Sequence, residues 1–352
     1  MAIDSDFWRR RRVLVTGHTG FKGAWLSLWL QSLGADVTGL ASGPPTSPSL
    51  YELAGVGAHM RERALDVCDA RAVREAFDQA MPEVVLHLAA QATVRKSLRD
   101  PLGTYHVNVL GTASVLEAVR TAGGVRAVVV VTSDKCYENS GASARSFAEG
   151  DALGGDDPYS SSKACAEIVT AAYRSSYFRG VDAPRVASAR AGNVIGGGDW
   201  GADRLLGDIV RAVQEGRPVR VRNPQAVRPW QHVLNPLSGY LLLAEELWRA
   251  DDVARAWNFG PNAEHVRTVR WVVETLAALW GDGLEWEPDS GPNPPEAERL
   301  SLDSTAAERR LGWRPGWGLE QALQKVVEWH QAERRGADAR LLTLGQIEAF
   351  PR

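Results

Sequence analysis

The sequence has little cysteine and no long apolar run. Three cysteines, Cys68, Cys136 and Cys165, occur in 352 residues without a CxxC pair, and no two of the seven histidines stand four residues apart. This pattern argues against a disulfide framework and predicts no metal site. No stretch approaches the roughly 18 apolar residues of a membrane span, and the N-terminus lacks the apolar core of a secretion signal. We therefore expect a cytoplasmic enzyme that contacts no membrane.

The sequence also lacks an excess of charge of either sign. Its 40 lysine and arginine residues nearly balance 43 aspartate and glutamate residues, which gives a formal net charge of -3. Because no basic field covers the whole protein, nucleic acid is not an expected partner, and any polyanionic ligand must be met by a local group of cations. The chain has 352 residues, of which 44% are hydrophobic. This length is enough for one large or two medium domains.

Short apolar runs alternate with stretches of helical spacing through the first half of the chain. The runs cover residues 12–16, 36–40, 84–88, 127–132 and 186–189, and the helical stretches cover residues 20–33, 70–80, 104–122 and 159–178. This alternation predicts an α/β fold, a Rossmann-like, doubly wound parallel sheet covered by helices on both faces. A smaller α/β substrate domain is expected to be interleaved with it in sequence. The predicted sheet domain is 1–190 with 231–260, and the substrate domain is 191–230 with 261–345.

A glycine-rich loop joins the first predicted strand to the first predicted helix. The string TGHTGFKG places Gly17, Gly20 and Gly23 where backbone amides at a helix N-terminus can receive a pyrophosphate. A bare structural turn is the alternative, but the position within a βαβ unit favours dinucleotide binding. Asp66 and Val67 follow a further predicted strand, which lies between the runs at 36–40 and 84–88 and is the third in chain order. At this place the carboxylate can accept a hydrogen bond from an adenine amino group; a surface aspartate is the alternative.

The residues after the second predicted strand bear on the choice of dinucleotide. An acid or a base at this position normally selects between NAD and NADP. Ala41 and Ser42 supply neither, and no arginine stands nearby. The absence of an arginine favours NAD.

Tyr159 and Lys163 form a YxxxK pattern within PYSSSKACAE. One helical turn separates them, so both side chains project from one face of the helix. A lysine cation beside a tyrosine favours the phenolate, which can take a proton from a sugar hydroxyl. A solvated helix face is the alternative, although three of the five lysines in this chain fall inside motifs.

The string VTSDKCY follows a strongly apolar run. Ser133, Asp134 and Lys135 stand at the carboxyl end of a predicted buried strand, where ligands bind in open α/β sheets. Ser133 can bind a sugar hydroxyl, and the neighbouring acid and amine can serve as general acid and general base. A solvated acid–amine pair at a strand end is the alternative.

These motifs, in this order, resemble those of the extended short-chain dehydrogenase/reductase family, and within it the CDP-glucose 4,6-dehydratases. The resemblance covers nearly all of the chain, and its segments include TGHTGFKGAWLSLWL, LHLAAQATVRKS, PYSSSKACAE and RPWQHVLNPLSGYL. YxxxK with the glycine loop is typical of the superfamily, whereas VTSDKCYEN with GNVIGGGDW is more specific. The resemblance implies NAD as cofactor, CDP-glucose as substrate and a homodimer or homotetramer.

The implied reaction converts CDP-D-glucose to CDP-4-keto-6-deoxy-D-glucose by oxidation at C4, loss of water across C5 and C6, and hydride return to C6. Tyr159 would take the C4 hydroxyl proton, with Ser133 and Lys163 beside it, and Asp134 would protonate the departing C6 hydroxyl. Lys135 stands where related dTDP-glucose dehydratases carry a glutamate base, so its amine must be neutral to act.

The resemblance also implies which residues hold the ligands. Those for the cofactor are Gly17, His18, Thr19, Gly20, Phe21, Lys22, Gly23, Asp66, Val67, Leu88, Ala89, Ala90, Tyr159 and Lys163. Those for the substrate are Ser133, Asn193, Arg204, Arg220 and Arg228. The arginines suit phosphate oxygens, and Arg217, Arg220, Arg222 and Arg228 are expected around a hairpin. A solvated basic hairpin is the alternative.

Two residues of the cofactor loop depart from the family pattern. His18 and Lys22 stand where many relatives carry a glycine and an aliphatic residue. A bulky His18 beside the pyrophosphate predicts partial loss of NAD during purification.

Two other functions remain open from the sequence. One is a dehydratase or 4-epimerase that acts on another nucleotide sugar, and the other is a non-catalytic NAD-sensing protein on the same fold. An epimerase needs no acid and base for C5 and C6, so Asp134 and Lys135 speak against it. The retained Ser133, Tyr159 and Lys163 speak against a non-catalytic protein.

Overall fold

Seven parallel strands form the central sheet of the computed structural model, which describes residues 3–139, 145–250, 252–281, 284–291 and 299–351. The strands of the described residues, within this sheet and outside it, are β1 (Arg12–Thr16), β2 (Asp36–Ala41), β3 (Arg61–Ala64), β4 (Val84–His87), β5 (Ala127–Val131), β6 (Arg185–Arg190), β7 (Val194–Ile195), β8 (Val219–Val221), β9 (Val227–Arg228), β10 (Gln231–His232), β11 (Ala256–Asn258), β12 (Arg267–Thr268) and β13 (Trp286–Pro288). The sheet order is β11-β6-β5-β4-β1-β2-β3. The Rossmann-like fold class is therefore confirmed.

Helices cover both faces of this sheet. The helices of the described residues, including those that do not contact this sheet, are α1 (Ser5–Trp8), α2 (Phe21–Ser32), α3 (Leu50–Leu53), α4 (Ala70–Ala80), α5 (Val94–Arg99), α6 (Pro101–Tyr105), α7 (Gly111–Thr121), α8 (Pro158–Ser176), α9 (Leu205–Glu215), α10 (Leu234–Arg249), α11 (Val269–Trp280), α12 (Thr305–Leu311), α13 (Leu319–Arg334) and α14 (Ala339–Ala349). Short 3-10 turns lie at Val56–His59, Asp134–Cys136 and Ala263–His265. No helix within the described ranges is both long and apolar enough to cross a membrane.

Side chains of β1 alternate between two apolar layers. Val13 and Val15 pack in the layer that includes Trp25 of α2, whereas Leu14 packs in the opposite layer with Phe77 of α4. Successive side chains of a strand point to opposite faces, so an apolar run such as this one requires helices on both sides. The sheet core thus follows directly from the apolar runs in the sequence.

The helical stretch expected over 104–122 is longer and less regular than predicted. α6 begins at Pro101, where the Asp100 side chain accepts from the Gly103 amide and proline occupies the first turn, a favoured arrangement at a helix start. A π-helical turn, His106–Leu110, then connects α6 to α7. The wider turn brings Asn108 into a buried position.

The hairpin expected around 217–228 is wrong. β8 pairs in parallel with β13, and β9 pairs antiparallel with β12, so β8 and β9 are not partners. The backbone between them is also engaged elsewhere, because the carbonyls of Pro224 and Ala226 accept from the amides of Arg270 and Val269 at the start of α11. Partners distant in sequence therefore replace the local pairing.

The segment after residue 230 returns to the central sheet. α10 packs against β5 and β6, and β11 extends the sheet beside β6. The smaller strands β7 to β10, β12 and β13 form two-stranded pairs outside that sheet. The proposed division into two domains stays a prediction. The carboxyl ends of β1, β4, β5 and β6 are neighbours, and the candidate site lies there.

Candidate active site

The loop between β1 and α2 is shaped by close backbone packing. A Cβ atom on Gly17, which has a φ of +75°, would lie 2.8 Å from Ala89 Cα, and one on Gly23 would lie 2.1 Å from the Gly17 carbonyl oxygen. α2 begins at Phe21 without a side-chain cap. The first backbone amides of α2 therefore have no capping side chain, and together with the glycine loop they can bind a pyrophosphate. These residues fit a dinucleotide.

The other cofactor candidates lie along the carboxyl edge of the same sheet. The amides of Leu88 and Ala89 both donate to Thr16 Oγ1 at 3.1 Å, and Ala90 follows them half-buried. Thr19 Oγ1 donates to the Gly43 carbonyl at 2.7 Å. These contacts hold the ends of β1 and β4 and the segment after β2 around the glycine loop.

Asp66 and Val67 lie beyond the end of β3. Asp66 is exposed, and its Oδ1 accepts from the Cys68 amide at 2.9 Å. Val67 is buried, with its Cγ2 atom 2.8 Å from where a Cβ on Gly111 would stand. The structure thus leaves the Asp66 carboxylate at the surface and anchors its neighbour in the core.

The His18 ring is buried on the strand side of the loop. Its Nε2 lies 2.7 Å from Glu62 Oε1, and its Cγ is 2.5 Å from where a Cβ on Gly39 would stand. Burial lowers the pKa of His18, although Glu62 opposes this shift, so the imidazole is uncharged at neutral pH. The predicted loss of NAD on purification stays a prediction.

Lys22 reaches from the glycine loop toward the motif residues. Its Nζ donates to the Tyr240 hydroxyl of α10 at 3.0 Å. Burial, reinforced by the positive charges of Lys163 and Arg204, lowers the pKa of Lys22 to about 7, while Asp134 opposes the shift. The charges of Lys22 and Lys163 therefore interact, although the two lysines lie on different helices.

α8 presents Tyr159 and Lys163 to the end of β5. The Asp157 side chain caps the helix by accepting from the amides of Tyr159 and Ser160, an arrangement that contributes about 1 kcal/mol. The Tyr159 amide also donates to Ser97 Oγ at 3.1 Å. Burial raises the pKa of Tyr159 to about 12, against the hydrogen bond to Ser133, which lowers it.

The ammonium of Lys163 is buried against the strand. Its Nζ donates to the Val131 carbonyl at 3.3 Å, and burial lowers the pKa of Lys163 to about 8, with Glu167 opposing. The structure thus places the lysine of the YxxxK pair at the carboxyl end of β5.

Asp134 is a buried acid with an unused oxygen. The Ser133 hydroxyl donates to Asp134 Oδ1 at 3.0 Å, whereas Oδ2 has no hydrogen-bond partner within the described residues and lies beside Gly192. Burial raises the pKa of Asp134, opposed by Lys135, Ser133 and Arg228. A carboxyl group in these surroundings is disposed to hold and deliver a proton.

Lys135 is half-buried and lies one residue further along the 3-10 turn. Its amide donates to Ser133 Oγ at 3.2 Å. The acid and the amine that the sequence singled out therefore share one turn, with the acid more deeply buried.

Two of the substrate candidates lie close to the motif residues. Arg228 is buried, and its charge acts on Asp134. Arg204 donates to Asp199 Oδ1 at 3.1 Å, and its charge acts on both Lys22 and Tyr159. The local positive charge required by an anionic ligand is thus present.

The other two substrate candidates differ from each other. Asn193 directly precedes β7, and its carbonyl accepts from the Gln231 amide at 3.0 Å. Arg220 is 72% exposed and pairs with Glu287 of β13. No contact within the described residues connects Arg220 to Tyr159 or Asp134, so the structure does not bring it to the motif residues.

Sequence reasoning missed several buried polar side chains behind the motifs. Asn108 Nδ2, in the π-helical turn, donates to Ser162 Oγ at 2.8 Å, and the backbone amide of Gln91 donates to Asn108 Oδ1 at 2.8 Å. Glu167 and Arg190 form a buried ion pair at 2.9 Å. A charged residue on the buried face of α8, one turn beyond Lys163, is the signal that identifies Glu167.

Comparison with known proteins places this site within a family. The profile of the NAD dependent epimerase/dehydratase family matches residues 13–260. The chain belongs to this family. A curated family relative, the CDP-glucose 4,6-dehydratase of Salmonella typhimurium strain LT2, is 45% identical over 99% of this chain and 98% of its own length.

Solved structures show the same family fold. A Thermus thermophilus UDP-glucose 4-epimerase, solved as a complex with NAD, matches 91% of this chain and 98% of its own with a TM-score of 0.76 and 26% identity. A Streptomyces venezuelae dTDP-glucose 4,6-dehydratase, also solved with NAD, covers 92% of this chain and 98% of its own with a TM-score of 0.76 and 24% identity. The latter resemblance concerns the fold alone.

Proposed function

We propose that this enzyme converts CDP-D-glucose to CDP-4-keto-6-deoxy-D-glucose with NAD as its cofactor. One observation carries the dehydratase assignment: a buried acid with an unused oxygen, Asp134, lies in the same site as the base candidate Tyr159. An oxidation needs only the base, whereas removal of water also needs an acid at the leaving hydroxyl. The 45% identity to a curated CDP-glucose 4,6-dehydratase supports the choice of nucleotide sugar.

Tyr159 and Lys163 serve the oxidation step. NAD, when bound, accepts the hydride from C4 of the sugar and returns it later to C6. Tyr159 takes the proton of the C4 hydroxyl, and the Ser133 hydroxyl beside it orients that oxygen. Because burial raises the pKa of Tyr159 to about 12, the phenolate needs nearby positive charge, and the Arg204 guanidinium acts on Tyr159 in this sense.

Asp134 and Lys135 serve the loss of water. The ketone at C4 acidifies the proton at C5, and the Lys135 side chain is the base candidate that removes it. Asp134 gives its proton to the departing C6 hydroxyl, and one water leaves. Lys135 then returns a proton to C5, and the proton that Tyr159 took from the C4 hydroxyl restores Asp134, so the net change is the loss of one water.

Arg228, Arg204 and Asn193 support binding of the diphosphate. Guanidinium groups bind phosphate oxygens in a fixed planar geometry. Arg228 is buried next to the acid, so it is suited to hold a phosphate close to the reacting sugar. Arg220, which is exposed and paired with Glu287, is the weakest member of the predicted set.

The substrate assignment is tested with a panel of nucleotide sugars. The protein is incubated with NAD and the glucose conjugates of CDP, dTDP, UDP and GDP, and the products are weighed by mass spectrometry. We expect loss of one water from the CDP sugar. Loss of water only from another conjugate overturns the substrate, epimerisation without loss of water overturns the reaction, and NAD binding without any product favours a sensing protein.

The base assignment predicts the behaviour of Lys135→Ala. We expect the variant to oxidise C4 but to lose exchange of the C5 hydrogen with deuterated solvent, because the amine that removes this proton is gone. The exchange is measured by NMR or mass spectrometry of the recovered sugar. Lys325→Ala, which removes a lysine paired with Glu328 on α13, is the control. Retained C5 exchange in Lys135→Ala contradicts the assignment.

The oligomeric state is also part of the proposal. Leu102 of α6 is 82% exposed, and Leu110 of the π-helical turn and Ile168 of α8 are 54% and 55% exposed. Leu110 and Ile168 lie within the helical stretches predicted over 104–122 and 159–178, and Leu102 lies just before the first of them. The resemblance implies that relatives pair through these two stretches, and burial between two copies would remove the three side chains from water. We expect a homodimer or homotetramer in the cytoplasm. A monomer in analytical ultracentrifugation contradicts the first expectation.

A further inference from the structure

A buried carboxylate stands directly behind the YxxxK pair. Glu167 lies on α8 one turn beyond Lys163, and its side chain is 3% exposed. Its Oε1 accepts from Thr132 Oγ1 at 2.5 Å, and its Oε2 accepts from Ser188 Oγ at 2.6 Å and from Arg190 Nη2 at 2.9 Å. Three donors on β6 and the segment after β5 therefore converge on one carboxylate.

The same face of α8 holds two consecutive residues at the end of β5. Lys163 Nζ donates to the Val131 carbonyl, and Glu167 accepts from the next side chain, Thr132. Ser133 follows immediately and carries the hydroxyl that contacts Tyr159 and Asp134. The contacts of Val131 with Lys163 and of Thr132 with Glu167 thus fix the position of Ser133 relative to α8.

The ion pair of Glu167 continues into a second polar layer. Arg190 Nη1 donates to the Tyr137 hydroxyl at 2.7 Å, and that hydroxyl donates to Asn258 Oδ1 at 2.7 Å. These side chains lie on β6, beyond the 3-10 turn and on β11. The network therefore joins α8 to two strands of the sheet, and three hydrogen bonds restrict the position of the Glu167 carboxylate.

Few groups near Lys163 carry charge at neutral to mildly alkaline pH. The groups that interact electrostatically with Lys163 are Lys22 of α2, His87 of β4, Cys136 of the 3-10 turn and Glu167 of its own helix. Burial lowers the pKa of His87 to about 3 and raises that of Cys136, so both are neutral, and Lys22 loses its proton near its pKa of about 7. Of these four groups, Glu167 is the one that carries negative charge, and it is ion-paired with Arg190.

We propose that Glu167 is a positioning residue of this active site, which locks the end of β5 to α8 through Thr132 and, from one helical turn further along α8, stabilises the Lys163 ammonium with its negative charge. The assignment of a role in turnover rests on the proposed function. The electrostatic part does not, because the charge of Lys163 can be followed without any substrate.

Glu167→Gln tests this inference in the full-length protein with NAD bound. The chain has five lysines, so ¹³C labelling of the lysine side chains gives few resonances, and the one lost in Lys163→Arg belongs to Lys163. We expect Glu167→Gln to lower the titration midpoint of Lys163 by about one pH unit, because a negative charge one helical turn away raises the pKa of a buried ammonium by about that much. At the original midpoint, the protonated fraction and the rate of water loss should fall about fivefold.

Two control variants separate charge from structure. Ser188→Ala removes a hydrogen bond to Glu167 but leaves its charge, and Glu167→Asp keeps the charge on a shorter side chain. We expect the Lys163 midpoint of both to stay where it is in the unsubstituted protein. If Glu167→Gln leaves the midpoint unchanged, or if Ser188→Ala shifts it equally, the carboxylate has only a structural role and the inference is overturned.

A double variant covers failure of the single one to fold. Glu167→Gln leaves the Arg190 guanidinium buried without its partner, which is the costly way to break such a pair. Glu167→Gln with Arg190→Gln removes both charges, and we expect the Lys163 midpoint to fall by less than in the single variant, because loss of the Arg190 cation opposes loss of the carboxylate. An unchanged midpoint in the folded double variant overturns the inference, whereas failure of the substrate panel alone overturns only the proposed function.

Discussion

Replacement of Tyr159 by phenylalanine is expected to lower kcat about 10³-fold, equivalent to about 4 kcal/mol of activation barrier. The hydroxyl is the group proposed to take the C4 proton, and it is buried beside Ser133 and Asp134. Phenylalanine keeps the ring that packs there, so the fold and the binding of NAD should persist. The measurement is the rate of water loss from CDP-glucose, together with the amount of NAD bound.

A second tyrosine of the same helical region provides the control. Tyr177, the residue that follows α8, is 55% exposed. Tyr177→Phe should retain the full rate. A loss of less than tenfold in Tyr159→Phe, with NAD bound normally, would show that another group takes the proton and would remove Tyr159 from the mechanism.

Asp134→Asn is expected to stop the reaction at a later stage than Tyr159→Phe. An amide cannot deliver the proton that the C6 hydroxyl needs to depart, so water loss should fall about 10²-fold to 10³-fold. Oxidation at C4 and proton removal at C5 do not use this acid. The variant should therefore still exchange the C5 hydrogen with deuterated solvent, which NMR of the recovered substrate detects.

The shape and charge of the site bear on how this variant is interpreted. Asparagine is close in shape to aspartate, and burial raises the pKa of Asp134, so the substitution replaces a group that is costly to ionise where it lies. We expect a folded protein. Glu138→Gln, an exposed acid four residues along, is the matched control. Water loss at the original rate in Asp134→Asn would assign the acid to another residue.

Tyr159→Phe and Asp134→Asn are expected to block different steps of the reaction. If Tyr159→Phe blocks both C5 exchange and water loss while Asp134→Asn blocks only water loss, the order of the steps follows without further assumption. Lys135→Ala completes the set, since it should block exchange after C4 oxidation. The three variants thus separate oxidation, proton removal and departure of the hydroxyl.

Local patterns predicted the regular elements well. The apolar run at residues 12–16 is β1, and helical spacing at residues 70–80 is α4, with the bounds expected from the sequence. Both elements are specified by the period of their own apolar residues. The π-helical turn at His106–Leu110 was not predicted, because its wider geometry follows from the buried contacts of Asn108 rather than from periodicity.

Pairing over long distances was beyond local patterns. The segment around residues 217–228 contains arginines and prolines that suggest a hairpin, yet its two strands pair with β12 and β13. Arg220 consequently faces Glu287 and solvent, whereas Arg228 lies buried near Asp134. Nothing in the spacing of the two arginines distinguishes them, because their surroundings come from distant parts of the chain.

The sequence by itself determined the chemistry that is available and its order along the chain. The glycine loop, the Ser133–Asp134–Lys135 string and the YxxxK pair are each contiguous, and their places after strands or within a helix follow from local apolar patterns. They predicted the fold class, and the family match bore this out.

Only the tertiary structure decided the state of these groups. It shows that Asp134 has an unused buried oxygen, that Lys22 contacts Tyr240, and that Glu167 lies behind Lys163 with Arg190 as its partner. The physical reason is that burial and the distance between charges set whether a group is ionised, and both depend on residues far apart in sequence. The local positive charge that a balanced chain needs for an anionic substrate is likewise assembled only by folding.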